Sequence, residues 1–81
     1  MKVQDIYNDV LKEYKRATKQ YDKFHSPHEG YAVLLEEVRE LEAEVFKNHK
    51  TRSETEMYKE AKQDAAMAIR FMFDCCKGVH Q

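Results

Sequence analysis

The chain is 81 residues long, with 14 basic and 15 acidic side chains, a formal net charge of −1, 42% hydrophobic and 36% charged residues, two glycines and one proline. That length makes residues 1–81 a single domain, and a lone subunit of this size buries only about 60% of the surface its unfolded chain exposes. The near balance of charge lacks the basic footprint of a nucleic-acid binder, while the scarcity of Gly and Pro beside ample apolar residues excludes a turn-rich β fold and a disordered chain. No apolar run is long enough to span a membrane and no charged-then-apolar leader opens the chain, so it reads as cytoplasmic. Cys75 and Cys76, adjacent to each other, make neither a disulfide framework nor a CxxC knuckle and are expected reduced.

The fold class expected is all-α: three helices in an antiparallel bundle, completed by oligomerisation. Val3, Ile6, Tyr7, Val10, Leu11, Tyr14, Ala17 and Tyr21 keep the three-and-four spacing of one buried stripe, which predicts a first helix over Val3–Tyr21. Ser26-Pro27-His28-Glu29 is a start signal, with Ser as N-cap, Pro at the first helical position and Glu closing a capping box. The second helix then runs from Pro27 to about Lys47, with Tyr31, Leu34, Leu35, Val38, Leu41, Val45 and Phe46 as its apolar stripe. Asn48–Arg52 is a polar loop, and Ser53 to Glu56 repeats the capping spacing and opens the third helix, for which Gly78 is a C′ stop. Met57, Ala61, Ala65, Ala68, Met72 and Cys75 form its expected buried side, widened by Ile69, Phe71 and Phe73. Small side chains at 61, 65, 66 and 68 allow close helix approach.

The second helix carries Glu36-Glu37-Val38-Arg39-Glu40, and the third carries Glu60 and Asp64. Residues three or four apart on a helix are neighbours, so each set aims its carboxylates at one spot. The two helices flank a short loop and are therefore antiparallel neighbours. Glu40 and Glu60 lie equally far from that loop, at one height. Carboxylates converging in this way repel unless a cation takes up their charge, and oxygen ligands favour Mg²⁺ or Mn²⁺. The blander alternative is a solvated acidic helix face.

EExxE at Glu36–Glu40, a spacer, then Glu60 and Asp64 resembles the metal-binding signature of the MazG-like, all-α nucleotide pyrophosphohydrolases. The flanking text, His25-Ser-Pro-His-Glu-Gly-Tyr31 and Ala65-Ala-Met-Ala-Ile-Arg-Phe71, is similar to short members of that group, and the resemblance spans residues 24 to 74. It implies hydrolysis of a nucleoside triphosphate to a monophosphate and pyrophosphate, with Mg²⁺ held by Glu37, Glu40, Glu60 and Asp64 and with Glu36 or Glu37 as the base that takes a proton from water. The family's second half reads ExxD, whereas here Gln63 stands at that position and Asp64 one residue later. Either residue then remains open as the fourth ligand.

With a nucleotide substrate in view, Lys59 and Arg70 are candidates for phosphate oxygens, Arg in bidentate fashion and Lys as a point charge. His25 and His28 line the nucleotide pocket or cap the helix; as an HxxH without further His or Cys ligands they do not make a zinc site. Tyr7, Tyr14, Tyr21, Phe24 and Tyr31 stack on a base or fill the core. The expected working form is a homodimer or homotetramer. The rival expectation is a non-catalytic helical interaction module that keeps a degenerate metal site. Binding of nucleic acid through Lys12, Lys15, Arg16, Lys19 and Lys23 is disfavoured by the acids Asp5, Asp9, Glu13 and Asp22 interleaved with them.

Overall fold

A computed structural model describes residues 1–80. Among these residues the chain forms α1 (Val3–Gln20), α2 (Pro27–Val45), α3 (Glu54–Cys75) and a short 3₁₀ turn over Lys77–His80, with no strand. Among the described residues no helix is long and apolar enough to cross a membrane.

The helix starts follow from local chemistry. The Ser26 hydroxyl accepts the Glu29 N–H at 3.1 Å and Pro27 needs no partner, while the Glu29 carboxylate takes the His25 N–H, one residue further back than a standard capping box. The Ser53 hydroxyl accepts the Glu56 N–H at 3.2 Å. The ends differ more from expectation. α2 stops at Val45 rather than Lys47, and the loop it enters is tied by Thr51 and Arg52 N–H groups on the Asn48 carbonyl. α3 stops at Cys75, and Gly78 is not a left-handed cap, because no glycine has a positive φ and residue 78 lies inside the 3₁₀ turn.

α3 is the centre of the molecule. α2 runs antiparallel along one side of it and α1 parallel along another, while α1 and α2 do not approach each other. The buried apolar residues are Val10, Ala17, Phe24, Ala66 and Met67. The buried side of α3 is therefore Ala66, Met67 and Arg70, not the expected line through Ala61 and Met72, both of which are exposed. A helix with a neighbour on each of two sides buries what lies between them, and α3 is apolar round so much of its circumference that periodicity alone does not select the line.

The α1–α2 connection is pinned to α3 by specific bonds. Arg70, 4% exposed, donates to the Asp22 carbonyl at 2.7 Å and lies over the Phe24 ring at 4.4 Å from its centroid. The Phe24 N–H donates to the Asp74 carboxylate at 3.0 Å. Phe24 in turn wedges against Gly30, where an added Cβ would stand 2.8 Å from Phe71 and 3.0 Å from Phe24. Glycine inside a helix costs about 1 kcal/mol relative to alanine. Here that loss is offset by the approach of α2 to the two rings.

Candidate metal centre

Antiparallel packing of α2 on α3, with Gly30 against Phe71 at one end, sets the register of the seam. That register brings Glu37, Glu40 and Glu60 together, each offering an oxygen, with all three oxygens within 4.8 Å of one another. Asp64 sits one turn beyond Glu60, close enough for its charge to be felt by Glu37 and for it to feel Glu40. One of its oxygens, Oδ1, is buried and finds no hydrogen-bond partner among the described residues. Glu44, a turn beyond Glu40, is alike: one oxygen takes the Lys47 ammonium at 2.9 Å and the other, buried, has no partner. Gln63 enters the cluster as a donor. With its amide nitrogen turned inward, as the surrounding acceptors require, it donates to Glu37 at 3.2 Å and to Glu60 at 3.1 Å.

The electrostatics record unmet charge. Burial, then the neighbouring Glu40, Glu60 and Asp64, push the Glu37 carboxyl up to about 7. Glu60 is raised by burial and by its hydrogen bond with Glu40, and Asp64 by burial and Glu40. Of the cations, Lys59 acts on Glu60, but it is exposed. The donor set is all oxygen, rich in carboxylate and short of positive charge, which fits a hard divalent cation such as Mg²⁺ or Mn²⁺. The orphaned Asp64 oxygen supports that fit, since buried acceptors without partners are costly in a folded protein.

A cleft of about 430 Å³ adjoins the cluster. It lies between α1 and α2 with α3 as its floor, and Glu37 and Gln63 belong to both cleft and cluster. Glu13 and Arg16 form its α1 wall; Tyr21, Asp22 and Phe24 close one end; Val33 and Glu36 stand on the α2 wall; Met67 and Arg70 lie in the floor. Arg16 is paired with Glu13, its Nε 3.0 Å from a carboxylate oxygen, and this hydrogen bond holds the Glu13 carboxyl below the usual carboxylate range.

Of the residues expected from sequence, Glu37, Glu40 and Glu60 converge, Asp64 stands beside them, and Glu36 faces the cleft. Arg70 reaches the cleft floor with its guanidinium committed to Asp22 and Phe24. His25, His28 and Lys59 are exposed and do not line the cleft; His25 pairs with Asp22 at 3.3 Å. Sequence reasoning missed Glu13 and Arg16 as cleft residues, and it placed Glu44 on the same helix edge as Glu37 and Glu40 without assigning it to the site. The signals were present: Glu13 falls within the apolar stripe between Val10 and Ala17, and Glu44 continues the 37–40 spacing by one more turn. No family model, curated protein or solved structure matches the chain, so the site stands on its own residues.

Proposed function

We propose that this is a metal-dependent nucleotide pyrophosphohydrolase of the MazG-like, all-α class, acting in the cytoplasm as a homo-oligomer on a nucleoside triphosphate to give a monophosphate and pyrophosphate. The observation that carries this reading is the convergence of Glu37, Glu40 and Glu60 from two helices, with the unpartnered Asp64 oxygen beside them, at the mouth of a cleft large enough for a nucleoside. Mg²⁺ or Mn²⁺ held by Glu37, Glu40, Glu60 and Asp64 would neutralise phosphoryl oxygens and lower the pKa of a bound water. The chain's own residues supply the rest. Glu36 or Glu37, through a carboxylate oxygen not engaged by the metal, would accept the water's proton. Tyr21, Val33 and Met67 offer a base the apolar and aromatic side of the cleft, with Arg16 near its rim.

A second reading, a non-catalytic interaction module with a lapsed site, is favoured by one contact. The Gln63 amide satisfies Glu37 and Glu60 without any cation. Incubation with a panel of ribo- and deoxyribonucleoside triphosphates and Mg²⁺ separates the two: the enzyme releases pyrophosphate and a monophosphate, and the module releases neither. If Asp64 carries the role that the family gives to the position of Gln63, Asp64→Asn loses turnover while keeping its helical circular dichroism and Gln63→Ala is mild. The reverse pattern assigns the role to Gln63.

A further inference from the structure

α3 packs against α1 on one side and α2 on another, and the two sides left between these contacts are unlike. At 3.6 residues per turn, the cleft-facing residues of each helix fall on one shoulder of its contact with the neighbouring helix, and a second set falls on the other. On α1 the cleft shoulder is Glu13 and Arg16, and the opposite one is Val3, Tyr7 and Leu11. On α2 it is Glu36 and Glu37 against Tyr31, Val38 and Val45, spaced by seven. On α3 it is Gln63 and Arg70 against Ala61 and Met72. Every one of these opposite-shoulder residues is exposed, Tyr7 and Tyr31 by 63% and 61%. The face continues past Met72 into a mainly apolar cavity of about 540 Å³ at the end of α3, walled by Ile69, Phe73 and Cys76.

We infer that this face is the seat of a second copy of the chain, packed back to back so that the two clefts open on opposite sides of the dimer. The inference rests on the homo-oligomer of the proposed function and assigns it a surface. Area is the first argument. The chain exposes 6345 Å², whereas a compact monomer of 9.7 kDa exposes about 5,100 Å². The excess, roughly 1,200 Å², is ample for the ~800 Å² that each partner contributes to a stable interface. The radius of gyration, 13.9 Å, likewise exceeds the roughly 12 Å of a compact chain of this length. Self-complementarity is the second argument, since a two-fold interface places the same patch on both partners. Tyr7 and Leu11 on α1 and Tyr31 and Val38 on α2 are bulky, apolar and exposed, whereas the exposed Ala61 of α3 is small, so the patch offers its own copy side chains of unequal size to interdigitate.

Sedimentation equilibrium of the full chain at micromolar concentration is expected to give about twice the 9.7 kDa chain mass. Leu11→Glu combined with Val38→Glu, and Leu11→Lys combined with Val38→Lys, are each expected to weaken the dimer by about 100-fold or more, because like charges then meet across the interface. Mixed in equal amounts, the two double variants should regain both dimeric mass and helical circular dichroism, wherever the two-fold axis runs; this arm decides the matter even when neither variant folds alone. Lys50→Glu, at the loop tip, should leave the mass unchanged. A glutamate double variant that stays dimeric, or a mixture that restores nothing, overturns this face while the oligomer stands. A folded wild-type monomer overturns both and gives the face to a partner of different sequence.

Discussion

α3 is held by two seams of opposite character. Along the α1 side the contacts are paired: Tyr58 donates to Asp9, Arg16 is paired with Glu13, Arg70 donates to the Asp22 carbonyl, and Asp74 accepts from Phe24. Along the α2 side Glu37, Glu40, Glu60 and Asp64 face one another, and buried oxygens of Asp64 and Glu44 are left over. The first seam is complete in itself and holds the fold. The second keeps like charges together at a cost in stability, and proteins carry such costs chiefly where a ligand relieves them. The difference separates the seam that holds the fold from the seam on which the proposed metal site rests.

The largest effect is expected from removing one carboxylate of the α2 seam. Glu60→Gln should lower pyrophosphate release by at least about 100-fold, since removing even an outer-sphere partner of a metal costs 10–100-fold. The same substitution should raise the melting temperature of the metal-free protein, because it removes one of the mutually repelling carboxylates. Steady-state kinetics and a thermal melt on one preparation check both signs.

Damage to the satisfied seam should act the other way. Arg70→Ala leaves the Asp22 carbonyl without its donor and strips the cover from Phe24, and is expected to cost about 2–3 kcal/mol in urea denaturation. Stability falls first here, and activity only as the fold is lost.

Acidity and metal sharpen the contrast further. Glu37 has its folded pKa raised to about 7, above its value in the unfolded chain. A carboxyl raised on folding contributes stability in its protonated form, fully present below the unfolded pKa and lost as pH climbs through the folded one. The metal-free protein should therefore melt higher at about pH 5 than at about pH 8 as far as this group decides. Mn²⁺ competes with that proton, so it should raise the melting temperature most at the alkaline end and flatten the profile. An unchanged profile at millimolar Mn²⁺, with and without a non-hydrolysable triphosphate, speaks for the lapsed site. The smallest effect is expected from Tyr58→Phe, which removes one hydrogen bond of the satisfied seam and should cost about 1 kcal/mol with turnover intact.

Much of the candidate site was legible because its signals are local. Ser26-Pro27 and Ser53 start their helices where capping chemistry places them, and with both starts set, the equal distance of Glu40 and Glu60 from the loop makes them neighbours. A carboxylate pair one turn apart needs only helical geometry to converge. The cleft was not legible, because its α1 wall comes from residues far from the acidic motif in the chain, and Glu13 and Arg16 resemble any exposed ion pair until α1 is laid beside α3.

Three helices, their starts and the pairing of α2 with α3 follow from local signals, since caps and three-to-four spacing are decided by atoms within a turn of one another. That α3 lies between two neighbours, that Arg70 is buried under the linker while Met72 is exposed, and that Gln63 donates into the carboxylate cluster emerge only when the helices pack. Those outcomes depend on which side of a nearly all-round apolar helix each neighbour occupies. That choice is made by packing between distant segments, and no local spacing encodes it.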